Sequence, residues 1–262
     1  MFREAERTME DSTSKEYQWM SRDMIKYIAM VTMLLNHIGV IFTSRGTLRY
    51  EILKDIGFFT AITMCYFLVE GFYYTSSRER YGKRLLLFAV FSQLPYNFAF
   101  EGNPMEFQQV NVIGNLFLCF LLLGVCETVT ESMAKAGFLI FLIFLSLFCD
   151  WAVFAPVFVL LFYHARKEGT RAALKRAYLE AVLFFGGYNL LTGVGNVPFL
   201  QNVLMTLGTM AGPALSGICI LFFYSGKRTK FFARFSKYFF YIFYPAHLTL
   251  LGGLHLLNMI DK

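Results

Sequence analysis

The chain has 262 residues, of which 56% are hydrophobic and only 16% charged, with 31 Phe and 15 Tyr. A soluble domain carries about 25% charged residues, so this composition excludes an ordinary water-soluble globule and matches a polytopic membrane protein. The net charge of +6 does not point to nucleic acid, because the cations fall in short blocks between apolar stretches.

Residues 1–23 are polar and mixed in charge, without the apolar run of a signal peptide. They read as a cytoplasmic segment, followed by a bundle over 24–262. Nine spans are predicted, at 24–43, 55–75, 84–100, 111–128, 136–149, 151–164, 175–193, 202–224 and 236–258. Each should be a helix, because irregular backbone cannot face lipid. The expected fold is therefore an all-α polytopic membrane bundle. The fifth and sixth spans are short for a bilayer of ~30 Å. They are expected to tilt or to form a re-entrant hairpin, with Asp150 and Trp151 at the junction. Gly193 and Gly195 mark a break before Pro198.

With nine spans, all but four of the 24 basic residues fall on one side; the exceptions are Arg45, Arg49, Lys54 and Lys262. The positive-inside rule then puts the N-terminus in the cytoplasm. Counting helical rise places His37 about 20 Å from the cytoplasmic end, in the outer half. His247 comes out near mid-membrane. Asn97, Asn111 and Asp150 project to the outer half or rim, and Glu70 toward the cytoplasmic end.

His37 sits beside Asn36 within DMIKYIAMVTMLLNHIGVIF. Charged residues at that depth cost about 2.5–3.5 kcal/mol on insertion scales, so an intramembrane ionisable group is a functional candidate. The competing explanation is a hydrogen bond to a neighbouring helix. His247, in FYPAHL, follows Pro245, which removes a backbone bond and opens space beside the ring. A neutral imidazole suits a general base near neutral pH. Two histidines facing one cavity would make a site; two in separate helix contacts would be glue. Glu70 could pair with Arg80 or Arg84, or orient a donor group. Arg78, Arg80, Lys83 and Arg84 would suit phosphates, although positive-inside charge also explains them. His164 and His255 fit interfacial positions. The four histidines lack a carboxylate at ligand spacing, so no metal site is expected. The five cysteines lie mostly in apolar runs and read as packing residues.

Five blocks in order resemble the TraX family. They are IKYIAMVTMLLNHIG, CYFLVEGFYYTSSRERYGKRLLLFAVFSQLPYNFAF, Asn111-Val112, Asp150-Trp151 and SKYFFYIFYPAHL. The resemblance implies a polytopic inner-membrane protein related in architecture to membrane acyltransferases. The best-known member acetylates the N-terminus of a conjugative pilin subunit from acetyl-CoA. His37 and His247 match the buried histidines of the family's first and last helices. Glu70, Arg84, Pro95, Asn111, Asp150, Tyr244 and Pro245 also match its pattern. Three positions depart from it: Asn36, Gln93 and Asn97 stand where the family usually has carboxylates. Gly57-Phe58 replaces a Gly-Arg pair, and Ile62 a proline. An amide still hydrogen-bonds an imidazole but does not stabilise imidazolium as a carboxylate can.

The resemblance implies an integral-membrane acetyltransferase. Cytoplasmic acetyl-CoA would bind near Glu70, Arg80 and Arg84, without any metal. The N-terminal amine of a small secreted or membrane peptide would enter an outer pocket of Gln93, Asn97, Asn111 and Asp150. His37 would be the base, oriented by Asn36 or a neighbour, and His247 would hold or protonate the carbonyl or leaving group. Two alternatives stand beside this. One is O-acetylation of an envelope glycan, the other a non-catalytic transporter or chaperone with the same fold.

Overall fold

The computed structural model describes residues 18–227 and 233–260. Most of the 1–23 segment, Lys262, and the cations before Gln18 and at 228–232 lie outside them. Nine α-helices follow one another among the described residues: α1 Arg22–Phe42, α2 Leu48–Tyr74, α3 Arg78–Glu101, α4 Val112–Thr128, α5 Ser132–Ser146, α6 Phe154–Glu168, α7 Arg171–Gly193, α8 Phe199–Ile218 and α9 Ala233–Ile260. A π-helical turn, Cys219–Phe223, ends α8. Among the described residues, four stretches are long and apolar enough to cross a membrane, fewer than the nine spans expected: Arg22–Phe42, Leu48–Tyr74, Phe199–Phe223 and Phe239–Leu257.

Several helices run past their apolar stretches because polar caps start them outside the predicted spans. Thr47 caps α2, Ser77 caps α3 and Thr170 caps α7, each side chain accepting a free backbone N–H of the first turn. The helices alternate in direction. One end of the bundle gathers Arg22, Arg80, Arg84 and Lys167; the opposite end gathers Asn111, Asp150 and Gln109. We call these the basic end and the opposite end. At the basic end the residues before α1 pair with the chain after the π turn, Met20 N–H donating to Phe223 O at 2.9 Å.

Helix α2 is the hub, packed on α1, α8 and α6, while α9 lies against α3 and α1. The core is largely aromatic and aliphatic, with Phe72, Phe158, Phe162 and Ile62 almost fully buried. Ile62 is an ordinary core residue. The fifth and sixth helices are not the tight hairpin that was one expectation. Helix α5 leans on α4 and leaves Phe138, Ile140, Phe141 and Phe144 exposed. Helix α6 instead enters the core against α2 and α7. Leu147–Val153 bridges them, and Val110 N–H donates to Phe148 O while Asp150 N–H donates to Val110 O. That pairing holds Trp151 at φ 60, a left-handed conformation that costs a non-glycine residue about 1–3 kcal/mol.

Candidate functional site

A cavity of about 910 Å³ runs between α1, α2, α3 and α9. Its basic end is lined by Arg22, Lys26, Arg80 and Arg84, and its opposite end by Lys54, Gln109, Asp150 and His255. From Arg22 to His37 helix α1 rises about 22 Å, so the cavity extends most of the way through the bundle. His37 lies on its wall.

The two histidines of the first and last apolar helices meet directly. His37 Nδ1 is 2.8 Å from His247 Nε2, with the rings nearly coplanar in orientation at 4°. His247 Nδ1 lies 2.7 Å from Phe243 O on the preceding turn of α9. A carbonyl only accepts, so neutral His247 carries its proton on Nδ1 and presents a bare Nε2. That nitrogen accepts from His37 Nδ1–H, leaving His37 Nε2 as a lone pair without a protein partner among the described residues. The carbonyl that Pro245 frees is that of Tyr241, four residues back. His247 therefore bonds to a different one. Phe100 packs edge-on against His37 at 5.3 Å, closing the pair from the α3 side.

The bracing of His37 thus comes from His247, and Asn36 does something else. Its Nδ2 donates to Lys54 O at 2.8 Å, and its side chain occupies the space a Cβ on Gly57 would need. It also lines the cavity. An aspartate there could not donate to that carbonyl, which accounts for the amide.

Gln93, Asn97 and Asn111 do not line the cavity; they satisfy one another. Gln93 Nε2 donates to Asn97 Oδ1 at 2.8 Å and Gln109 O at 2.9 Å, while Gln93 Oε1 accepts from Asn111 Nδ2 at 2.8 Å. Asn97 Nδ2 donates to Pro104 O, and Asn111 caps α4. The network pins the loop between α3 and α4, and the donations from Gln93 and Asn97 need amides, not carboxylates. Asp150 does line the cavity, beside Trp151. Asn115, which the sequence reading overlooked, holds that corner by donating to Asp150 O and Ala152 O. Its only signal was a polar residue in the apolar run VIGNLFL.

Glu70 also departs from expectation. Arg22 Nε stands 3.2 Å from its Oε2, and Tyr224 O–H donates to its Oε1 at 2.6 Å. It pairs with neither Arg80 nor Arg84 and stays behind the cavity wall. Arg80 and Arg84 themselves face the cavity, and Arg84 Nε has no hydrogen-bond partner.

The TraX protein family model matches residues 21–255, nearly all of the helical bundle. The chain belongs to the TraX family. It is also similar to a probable fimbrial assembly protein FimC, serogroup H1, of Dichelobacter nodosus. The two are 33% identical over 238 residues, covering 87% of this chain and 92% of that protein. No solved structure matches. The matched range includes His37, Asp150, Tyr244 and His247, and the fold brings the first three onto one cavity wall with His247 directly behind.

Proposed function

We propose that this TraX protein is a membrane-embedded acetyltransferase with its N-terminus in the cytoplasm. Acetyl-CoA enters at the basic end, where Arg80 and Arg84 meet its phosphates. The acceptor enters at the opposite end, past Asp150 and Gln109. The best-supported acceptor is the N-terminal amine of a fimbrial or pilin-type subunit, given the similarity to a fimbrial assembly protein. The observation that carries the reading is a single cavity joining cations at one end to the free nitrogen of His37 near the other.

Acyl transfer to an amine needs a base for the proton lost as the new bond forms. His37 Nε2 takes that proton. The positive charge that develops on the ring is shared through Nδ1–H with His247 Nε2, which the Phe243 carbonyl fixes as an acceptor. This is the logic of an oriented base in hydrolytic triads, with imidazole in place of carboxylate. It explains how the site works without a carboxylate at position 36. His247 has both ring nitrogens engaged, so it positions the base instead of holding the carbonyl.

The test uses purified protein in lipid nanodiscs, labelled acetyl-CoA and a short peptide with a free N-terminal amine, with a parallel reaction on an envelope glycan. Label should appear on the peptide with the native chain and not with His37→Ala. Label on a glycan hydroxyl instead would support the O-acetyl alternative. No transfer to either acceptor would overturn the enzymatic reading.

A further inference from the structure

We propose that the Tyr244 hydroxyl is the donor that holds the oxyanion formed when the acetyl thioester is attacked. The proposal rests on the acetyl-transfer reading above and adds a residue to it. Tyr244 is 3% exposed and lines the cavity; the Val112 backbone N–H stands near its hydroxyl oxygen, but its O–H proton has no acceptor among the described residues. Leaving a buried hydroxyl unpaired is unfavourable, and a phenylalanine would fill the same space without that penalty. The O–H proton is therefore available to a bound group.

Its location supplies the reason. Tyr244 precedes His247 by three residues on α9, so the two side chains share a face. Its ring centroid is 5.7 Å from that of His247 and 6.4 Å from that of His37. The two imidazole N–H donors of the pair are committed. His37 Nδ1 serves His247, and His247 Nδ1 serves the Phe243 carbonyl. An unspent O–H beside a bare imidazole nitrogen is the pairing that acyl transfer needs.

The steps balance. The amine nitrogen bonds to the thioester carbon while the carbonyl π pair moves onto oxygen, where the Tyr244 O–H hydrogen-bonds it and keeps its own proton. His37 Nε2 removes the proton from nitrogen. The oxyanion pair re-forms C=O, the C–S bond breaks, and His37 returns the proton to sulfur. The products are an acetyl amide and a free thiol.

Tyr244→Phe in nanodiscs, assayed with acetyl-CoA and the same peptide, tests this. Removing one oxyanion donor lowers kcat by about 10²–10³-fold, with KM for acetyl-CoA within about twofold. The melting temperature should stay close to the native value, because the O–H proton has no acceptor to lose and only the contact with the Val112 N–H goes. If the native chain turns over and Tyr244→Phe keeps most of its kcat, Tyr244 is not the donor and the acetyl-transfer reading survives. A loss of activity that comes with a lowered melting temperature also overturns the assignment. If the native chain transfers no acetyl group, both the function and this role fall.

Discussion

His37 Nδ1 and His247 Nε2, 210 residues apart in the chain, share a hydrogen bond of 2.8 Å across α1 and α9. The bond is directional, since Phe243 O fixes the tautomer of His247 and so that of His37. His37→Ala should lower kcat by about 10²–10⁴-fold, the usual range for a general base. His247→Leu removes the acceptor and should also lower kcat, with KM for acetyl-CoA little changed. His247→Gln keeps a side-chain oxygen that can accept from His37, so it should recover part of the rate. Equal activities for the Leu and Gln variants would show that the hydrogen bond is not what matters.

Glu70 is expected to act on stability, not on donor binding. It forms a buried pair with Arg22, the two side chains being 8% and 6% exposed. Removing one partner of such a pair strands the other charge and costs about 3–5 kcal/mol. Glu70→Ala should therefore lower the melting temperature sharply, while Arg22→Met with Glu70→Leu should recover much of it. A raised KM for acetyl-CoA without a stability loss would instead make Glu70 part of the donor site.

Arg80 and Arg84 carry the opposite expectation. Arg80 is exposed at the mouth and Arg84 half-buried on the wall. A hydrogen bond to a charged group is worth about 1.5–3 kcal/mol, so losing one phosphate contact corresponds to tenfold or more in affinity. Arg80→Ala and Arg84→Ala should raise KM for acetyl-CoA and leave stability unchanged. Added salt should weaken donor binding to the native chain more than to the double variant.

The nine helices were legible as apolar runs, but among the described residues only four stretches are both long and apolar enough to cross a membrane. Helix starts were less legible, because Thr47, Ser77 and Thr170 begin helices in polar sequence. Spacing could mark His37 and His247 separately but not as partners, since contact across α1 and α9 depends on the rotation of both helices. The same limit hid the partner of Glu70: both Arg22 and Arg84 lie at the right depth, and only packing selects between them. The amides at 36, 93 and 97 looked like lost carboxylates one at a time. Their meaning lies in the carbonyls they face, those of Lys54, Gln109 and Pro104.

Asn36→Asp, which puts a carboxylate beside His37, is therefore expected to harm this protein. Nδ2 of Asn36 donates to the Lys54 carbonyl at 2.8 Å, and a carboxylate there would set an acceptor against an acceptor. The side chain cannot swing away toward α2, since the position of a Cβ on Gly57 lies only 2.2 Å from Asn36 Cβ. The loss should be about 1–3 kcal/mol of stability. Gly57→Ala probes the same contact from the other helix, and overpacking typically costs about 1–3 kcal/mol. Because Asn36 is next to His37, pushing α1 away from α2 also moves the base relative to His247. Both variants should lose melting temperature and kcat together, whereas Tyr244→Phe loses kcat alone. If Asn36→Asp instead raised the turnover rate, position 36 would be acting on the His37 imidazole and not on the Lys54 carbonyl.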